Sequence, residues 1–313
     1  MRRVCVAVAV ALAAACNVTA HNDSTTGPAP VSAYYVVERA TRTLNDEPRD
    51  LLPGFGFEIT QVKKINGVKV GVSRLGQLIP LSDLKQVKPS TFEGVHQPDP
   101  LLRLAFVVQP LAAIRSAPSQ AAPVISRARR LAVLTLKTHD GPLGYYHTTQ
   151  GWVAANDVRV PRLSPRPPNI GTSASEDIWI DVDLRSQTLV AYAAERPVFA
   201  TLISAGVGAA GSPFATPMGL HRIVAKLRAA TMDNLEHTNV VPYHYETVPH
   251  TQYIGRVALH GVFWHDDFGH PKSHGCINLS MADAAYLFDL TRPKVSLARN
   301  EGNGAHGTVV QVR

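Results

Sequence analysis

The chain has 313 residues, of which 45% are hydrophobic and 18% are charged, a balance that excludes a wholly disordered protein. Three cysteines are too few for a disulfide-stapled scaffold. No apolar run beyond the amino terminus reaches the ~18–20 residues that a membrane span needs. The formal charge of +7 at pH 7 suits an anionic partner, whether nucleic acid, surface or polymer.

Residues 1–16 have the pattern of an export signal. Arg2 and Arg3 precede an apolar stretch that is too short to span a membrane and that is normally removed. The stretch ends in Leu-Ala-Ala-Ala-Cys, which resembles the lipobox of bacterial lipoproteins and makes Cys16 a candidate for lipidation. Ordinary cleavage near Ala15 is the alternative. In both cases we expect an exported protein of the cell envelope, in the periplasm or on the outer surface. Lipidation would add a membrane anchor.

Two polar, proline-containing segments divide the rest of the chain. Residues 17–33 predict a flexible tether, and residues 161–174, with four prolines, predict a stiff linker. Between them we expect two small β modules, at residues 34–100 and 101–160.

The two modules are predicted from a weak internal repeat. Asn66-Gly67 in the first and Asp140-Gly141 in the second are hairpin signals between apolar runs. The Gly-Trp-Val ending at residues 151–158 is loosely similar to the SH3-like modules that accompany cell-wall enzymes. Two generic hairpins without a binding role are the alternative.

Residues 175–313 begin with strand patterning. Three apolar or alternating runs follow one another, at 178–184, 188–192 and 198–204. They predict an antiparallel β-meander. The glycine-rich segment 206–219 is expected to be a loop, and it lacks the glycine patterns of phosphate-binding loops. One helix is predicted near the end, with Ser280 as its N-cap.

The densest group of reactive side chains lies between residues 260 and 276. It contains four of the 13 histidines and the only cysteine outside the amino-terminal segment: His260, His265, His270, His274 and Cys276. A thiol becomes a good nucleophile when a neighbouring imidazole takes its proton. Cys276 with His260 and His274 therefore has the parts of a nucleophilic site. The small Gly275 would let a backbone N–H approach an oxyanion.

The same residues leave two alternatives open. The histidines and Cys276 could ligate zinc, although their spacing contains neither H-E-x-x-H nor C-x-x-C. Alternatively, Cys276 could be a buried inert thiol. For His265 and His270 we expect solvated positions in a polar loop.

The motif Ser273-His274-Gly275-Cys276-Ile277-Asn278, with His260-Gly261 upstream, resembles the signature of the L,D-transpeptidases, the YkuD-type cysteine enzymes of bacterial peptidoglycan. The resemblance extends to residues 179–189 and to the Thr-Pro-Met-Gly turn at 216–219, and it covers about residues 175–300. It implies a mainly β fold. A β-rich YkuD-type catalytic domain at 175–313 would follow the two SH3-like modules.

The resemblance also implies a role for each motif residue. Cys276 would be the nucleophile and His260 the proton donor and acceptor. Ser273 and His274 would shape and orient the site, while Gly275 and Cys276 would offer backbone N–H groups to the oxyanion. Three further residues lie where related enzymes bind substrate: Gly261, Trp264 and Asn278.

The implied substrate is a peptidoglycan tetrapeptide stem. The thiolate would displace D-Ala to form an acyl-enzyme, and the amine of a second stem would then form a cross-link. Water as acceptor would make the chain an L,D-carboxypeptidase, and a protein amine would make it a wall-protein-attaching variant. Two alternatives from other classes are a non-catalytic peptidoglycan-binding lipoprotein and a zinc peptidase.

The resemblance implies no metal and no organic cofactor. Carbapenems are expected as covalent inhibitors that acylate Cys276. Nucleic acid is not an expected partner, because the chain is predicted to be exported and lacks clustered basic and aromatic residues.

Overall fold

The computed structural model describes residues 32–139, 141–142, 144–168, 170, 177–236, 241–295, 301–303 and 306–313. Several predicted features lie outside the described residues. They are the export signal with Cys16, the tether as far as residue 31, Asp140 of the second hairpin signal, and residues 169 and 171–174 of the linker.

Residues 32–100 form eight strands. These are β1 (Ala33–Val37), β2 (Thr41–Arg42), β3 (Asp50–Leu51), β4 (Gly56–Ile65), β5 (Val68–Ser73), β6 (Leu78–Pro80), β7 (Leu84–Val87) and β8 (Val95–His96). The predicted hairpin at Asn66-Gly67 is confirmed, because this pair joins the antiparallel strands β4 and β5. Both residues have positive φ, 48° and 85°, as a type I′ turn requires.

Residues 101–160 form a second group of seven strands. These are β9 (Leu104–Val107), β10 (Leu111–Arg115), β11 (Val124–Arg129), β12 (Val133–Thr135), β13 (Tyr145–Thr148), β14 (Gly151–Ala154) and β15 (Val158–Arg159). They make two antiparallel sheets, in the orders β11-β10-β14-β13 and β12-β9-β15. Apolar side chains from both sheets, including Val107, Ile114 and Val153, share one buried cluster. The SH3-like character of this unit stays a prediction.

The carboxyl-terminal part contains the remaining strands and one helix. These are β16 (Ile178–Asp183), β17 (Thr188–Ala193), β18 (Arg196–Leu202), β19 (Gly219–Arg222), β20 (Ala225–Asp233), β21 (His244–Tyr253), β22 (Ala258–Gly261), β23 (Ile277–Leu279), α1 (Met281–Leu290), β24 (Glu301–Asn303) and β25 (Val309–Val312). The predicted meander is confirmed, since β16, β17 and β18 pair in antiparallel sequence. The predicted N-cap is also confirmed: the Ser280 hydroxyl accepts a hydrogen bond from the Asp283 N–H at 3.1 Å.

Two large sheets enclose the main core. One has the order β19-β25-β16-β17-β18-β8, and the other follows β23-β22-β21-β4-β1-β7, with β20, β24, β5 and β6 attached to it. Ile180 and Leu189 of the first sheet share a buried cluster with Leu259 and Ile277 of the second and with Leu287 of α1. Burial of such side chains contributes roughly 1.5–3 kcal/mol each. This cluster fixes β22 and β23, which carry the candidate site.

Strand pairing joins the segment at residues 34–100 to the carboxyl-terminal sheets, which the sequence did not indicate. β4 pairs with β21 through Gly56 and Tyr245, and β8 pairs with β18. A Cβ at Gly56 would lie only 2.6 Å from the Tyr245 ring, so glycine is needed for this approach. Alternation of side chains predicts a strand but not its partner, which is why this pairing was not foreseen. The domain limits stay predictions, although backbone hydrogen bonds cross the boundary near residue 100.

Within the described ranges, no helix is long and apolar enough to cross a membrane.

Candidate active site

The register between β22 and β23 places the reactive side chains together. The two strands are parallel, with Leu259 opposite Ile277 and His260 opposite Asn278. Leu259 and Ile277 point into the core. Because side chains alternate along a strand, His260 and Asn278 project from the opposite face, and Cys276 directly precedes β23.

One pocket collects most of the predicted site residues. Its lining includes six of them, namely His260, Trp264, Ser273, His274, Cys276 and Asn278, together with Met232, Tyr243, Tyr245, His265 and Lys272. Gly261 is not among them. It is buried, and a Cβ there would contact Pro249, Met281 and Ala284. Its carbonyl instead orients His260.

Cys276 is a half-buried thiol at the pocket wall. Burial raises the pKa of this thiol, while a hydrogen bond from the Ala258 backbone and the charge of Arg256 lower it in part. The resulting pKa of Cys276 is above the ordinary value for a cysteine, so the resting side chain is a thiol at neutral pH. It requires a base to become nucleophilic.

His260 has the geometry of such a base. Its Nδ1–H donates to the Gly261 carbonyl oxygen at 3.1 Å, which leaves Nε2 as the proton acceptor. The ring is 3% exposed, and burial lowers the pKa of His260 to about 4. His260 is therefore neutral at physiological pH, and the resting pair is thiol and imidazole rather than an ion pair.

Ser273 closes the turn that carries the thiol. Its hydroxyl donates to the Cys276 carbonyl and accepts from the Gly275 N–H at 3.1 Å. The Gly275 N–H is thus already bonded, which corrects its prediction as a free oxyanion donor. Of the two predicted donors, the Cys276 N–H remains. Gly275 has φ of 120°, which only glycine adopts readily.

Thr216, in the Thr-Pro-Met-Gly turn, also holds the turn that carries Cys276, through Gly275. Its hydroxyl donates to the Gly275 carbonyl at 2.8 Å and accepts from the Gly206 N–H at 2.9 Å. Sequence analysis identified the turn but assigned no site role to Thr216. The Thr-Pro-Met-Gly motif was therefore the sequence feature from which a role for Thr216 could have been predicted.

Aromatic rings form the pocket wall. His274 stacks on Tyr243 with ring centroids 5.2 Å apart and meets Phe214 edge-on. Trp264 stacks on Tyr245 at 3.8 Å. Burial lowers the pKa of His274, so it too favours the neutral form. Sequence reasoning missed Tyr243, which directly precedes β21, and Tyr245 within it, because no motif surrounds them.

The expectation that His265 is a solvated loop residue is wrong. His265 lines the pocket, and its Nε2 lies 2.8 Å from the side-chain amide of Asn278. Burial lowers the pKa of His265 to about 4. His270, on the same loop, is half-buried and does not line the pocket.

In the described part of the chain, no three His, Cys, Asp or Glu side chains are grouped so that they could hold a metal ion. The histidines between 260 and 276 therefore do not converge there as the zinc alternative requires.

Residues 177–312 match the family model of the YkuD L,D-transpeptidase catalytic domain. A search of the curated proteins finds no match.

Several solved structures are similar to part of the chain. One is an L,D-transpeptidase from Mycobacterium smegmatis, at 23% identity and a TM-score of 0.34, covering 44% of this chain and 58% of that one. A cysteine-to-serine mutant of an Enterococcus faecium L,D-transpeptidase has 27% identity and a TM-score of 0.34, covering 44% of this chain and 50% of that one. The catalytic domain from E. faecium, solved by NMR, has 27% identity and a TM-score of 0.33, covering 46% and 100%. The chain thus spans about half to three fifths of the first two.

The matched segment contains the whole pocket described above. Residues 177–312 of this chain are therefore similar to an L,D-transpeptidase catalytic domain of the YkuD type.

Proposed function

We propose that the chain is an exported L,D-transpeptidase that forms peptidoglycan cross-links through a thioester on Cys276. The observation that carries this proposal is the placement of His260 and Cys276. His260 lies on β22, Cys276 directly precedes the parallel neighbour β23, and both line one pocket. A thiol and a neutral imidazole so arranged suit nucleophilic acyl transfer.

In the first half-reaction, His260 Nε2 takes the thiol proton as Sγ attacks the carbonyl carbon between the diamino acid and D-Ala. The C–S bond forms, and the carbonyl electron pair moves to oxygen, where the Cys276 N–H stabilises it. When the C–N bond breaks, the imidazolium returns its proton to the leaving amine of D-Ala. The product is a thioester and free D-Ala.

In the second half-reaction, the amine of a second stem attacks the thioester. The amine gives a proton to His260, the C–S bond breaks, and the thiolate recovers the proton. One amide has replaced another, so no nucleotide is consumed. Water or a protein amine in this step would give the carboxypeptidase or the wall-protein-attaching variant.

The pocket suits a stem peptide in shape and charge. Trp264 and Tyr245 offer flat apolar surfaces, and Lys272 stands at the rim, where it pairs with Asp267 at 2.8 Å. A carboxylate of the stem would compete with Asp267 for this half-exposed ammonium. Carbapenems are expected to acylate Cys276, because the strained lactam carbonyl meets the same thiol.

We further propose that the enzyme acts in the cell envelope, anchored through a lipidated Cys16. The Leu-Ala-Ala-Ala-Cys sequence supports this proposal. Fractionation of cells that express Cys16→Ala should find the protein in the soluble fraction. Unchanged membrane partition would refute the anchor.

The function is tested by intact-mass spectrometry of the purified chain with a disaccharide-tetrapeptide or a carbapenem. We expect an adduct on the wild type and none on Cys276→Ala, with D-Ala release and dimer formation from the stem. D-Ala release without dimer would indicate water or another acceptor. A folded wild type that forms no adduct and releases no D-Ala would favour a peptidoglycan-binding role instead.

A further inference from the structure

The loop at residues 264–273, between β22 and β23, is held from outside the catalytic domain. Arg130 donates to the Asp266 carboxylate at 3.0 Å and to the Asp266 carbonyl. Arg159 Nε donates to the Gly269 carbonyl at 3.0 Å. Both arginines belong to the unit at residues 101–160. This unit therefore binds the loop by hydrogen bonds at two residues, Asp266 and Gly269.

The inner side of the loop is bonded to the segment that follows β18. The Gly269 N–H donates to the Ile203 carbonyl at 2.8 Å, and the Ser204 hydroxyl donates to the Asp267 carbonyl at 2.9 Å. A loop bonded on both sides has little freedom. His265, which it carries into the pocket, is consequently well placed to act on a neighbour.

The hydrogen bonds of His265 define its tautomer. The Asp267 backbone N–H donates to His265 Nδ1 at 3.2 Å. A neutral imidazole that accepts at Nδ1 carries its proton on Nε2. The contact of 2.8 Å between Nε2 and the Asn278 amide is therefore one in which the ring donates.

A donating ring requires an accepting amide. If Asn278 Nδ2 faced Nε2–H, two donors would meet, and Oδ1 at the other end would be buried without a partner. Turning the amide by 180° preserves its shape and removes the contact between two donors, because Oδ1 then accepts from the ring. The amide NH₂ takes the opposite end, where the described residues supply no hydrogen-bond partner.

The Asn278 side chain belongs to the same pocket as the reacting groups. Asn278 is 3% exposed, stands opposite His260 in the β22–β23 register, and lines the pocket with Cys276. A buried donor without a protein partner is costly unless a ligand accepts from it. A carbonyl oxygen of a bound peptide or β-lactam has the matching chemistry.

We propose that His265 is a positioning residue: its Nε2–H holds the Asn278 carbonyl, so that the Asn278 NH₂ group is directed at a carbonyl of the acyl donor. Arg130 and Arg159 support this arrangement by fixing the loop that carries His265. The proposal deepens the proposed function, on which its rate measurements rest.

The first test is spectroscopic and needs no activity. Ring nitrogen–proton correlation spectra of the ¹⁵N-labelled protein report the tautomer of each histidine, and His265→Phe assigns the signal of His265. We expect the neutral Nε2–H form at pH 7. An Nδ1–H ring would overturn the proposal, whether or not the chain proves to be a transpeptidase.

The second test measures the rate constant of Cys276 acylation by a carbapenem. We expect about 10-fold slower acylation for His265→Phe, and a rate within about 3-fold of wild type for His265→Gln, whose amide nitrogen can replace Nε2–H. His270→Phe, on the same loop but outside the pocket, is the matched control and should match wild type. Thermal unfolding of each variant confirms that it is folded.

A double-mutant cycle decides whether His265 acts through Asn278. In the Asn278→Ala background, His265→Phe should cause no further loss of rate. A full 10-fold loss in that background would overturn the proposal, as would a His265→Gln protein that is folded but as slow as His265→Phe.

Discussion

Acylation of Cys276 should keep nearly its full rate as the pH is lowered from 8 to about 5, and should fall only around pH 4. The reason is the low pKa of His260, about 4, which burial imposes on the ring. Compared with a histidine of the ordinary pKa of 6.5, the neutral ring of His260 is favoured over the protonated ring by about 3 kcal/mol more. At pH 5.5 about 97% of such rings are neutral, against about 9% for an ordinary histidine. The rate at pH 5.5 thus differs about 10-fold between the two cases.

The assay follows carbapenem adduct formation by intact mass at pH 4 to 8, with the His270→Gln protein as a control for general effects of pH. A midpoint near 6.5 would refute the assignment of a buried neutral base. A rate that keeps rising with pH to the pKa of the thiol would also refute it, because the thiolate would then react without His260.

The same shift links pH to stability. The pKa of His260 is lower in the folded state than in the unfolded state, so the unfolded chain binds more protons between pH 6.5 and 4. Its contribution to stability is complete above pH 6.5 and is lost as the pH falls through 4. Between pH 7.5 and 4.5 the loss is about 2–3 kcal/mol. Urea unfolding of wild type and His260→Gln at these two pH values should reveal this difference, and equal pH dependence would contradict it.

Two further substitutions test how the site is supported. Thr216→Val removes the hydroxyl that bridges Gly206 and Gly275, and it should slow carbapenem acylation about 10-fold. Thr216→Ser keeps the hydroxyl and should keep the rate. Equal rates for the two variants would show that the bridge is dispensable. Asp283→Ala leaves the Gly94 N–H and the Thr201 hydroxyl without their acceptor, and should lower the free energy of unfolding by about 3 kcal/mol in urea titrations. The exposed Asp289→Ala on the same helix is its control, expected within about 0.5 kcal/mol of wild type.

Local patterns in the sequence were enough to predict much of the catalytic domain. Alternation between Ile178 and Leu184 predicted β16, whose two faces the structure shows to be buried. Ser280 with Asp283 predicted the start of α1, because a cap involves only neighbouring residues. The motif at 273–278 predicted the thiol site through its resemblance to a known family, and the structure shows that its hydrogen bonds are made within a few residues.

Long-range partners could not be predicted in this way. Nothing near Tyr245 indicates that it stacks on Trp264 and meets Gly56, since these contacts join distant segments. His265 was misjudged for the same reason, because its polar neighbours Asp266 and Asp267 suggested solvent while its ring turns toward Asn278. The occupied N–H of Gly275 likewise depends on a rotamer of Ser273, which sequence does not specify.

The pairing of β8 with β18 has a consequence for the limits of the catalytic domain. The match at 177–312 marks where a recognisable pattern begins, not where the chain can be cut. In a protein shortened to residues 177–313, the edge of β18 that pairs with β8 would be exposed. The rings of Phe199 and Tyr286 would also lose their contacts with His96. An open edge next to apolar surface invites other chains to add strands. The segment before residue 100 therefore covers an edge that would otherwise be open to strand addition.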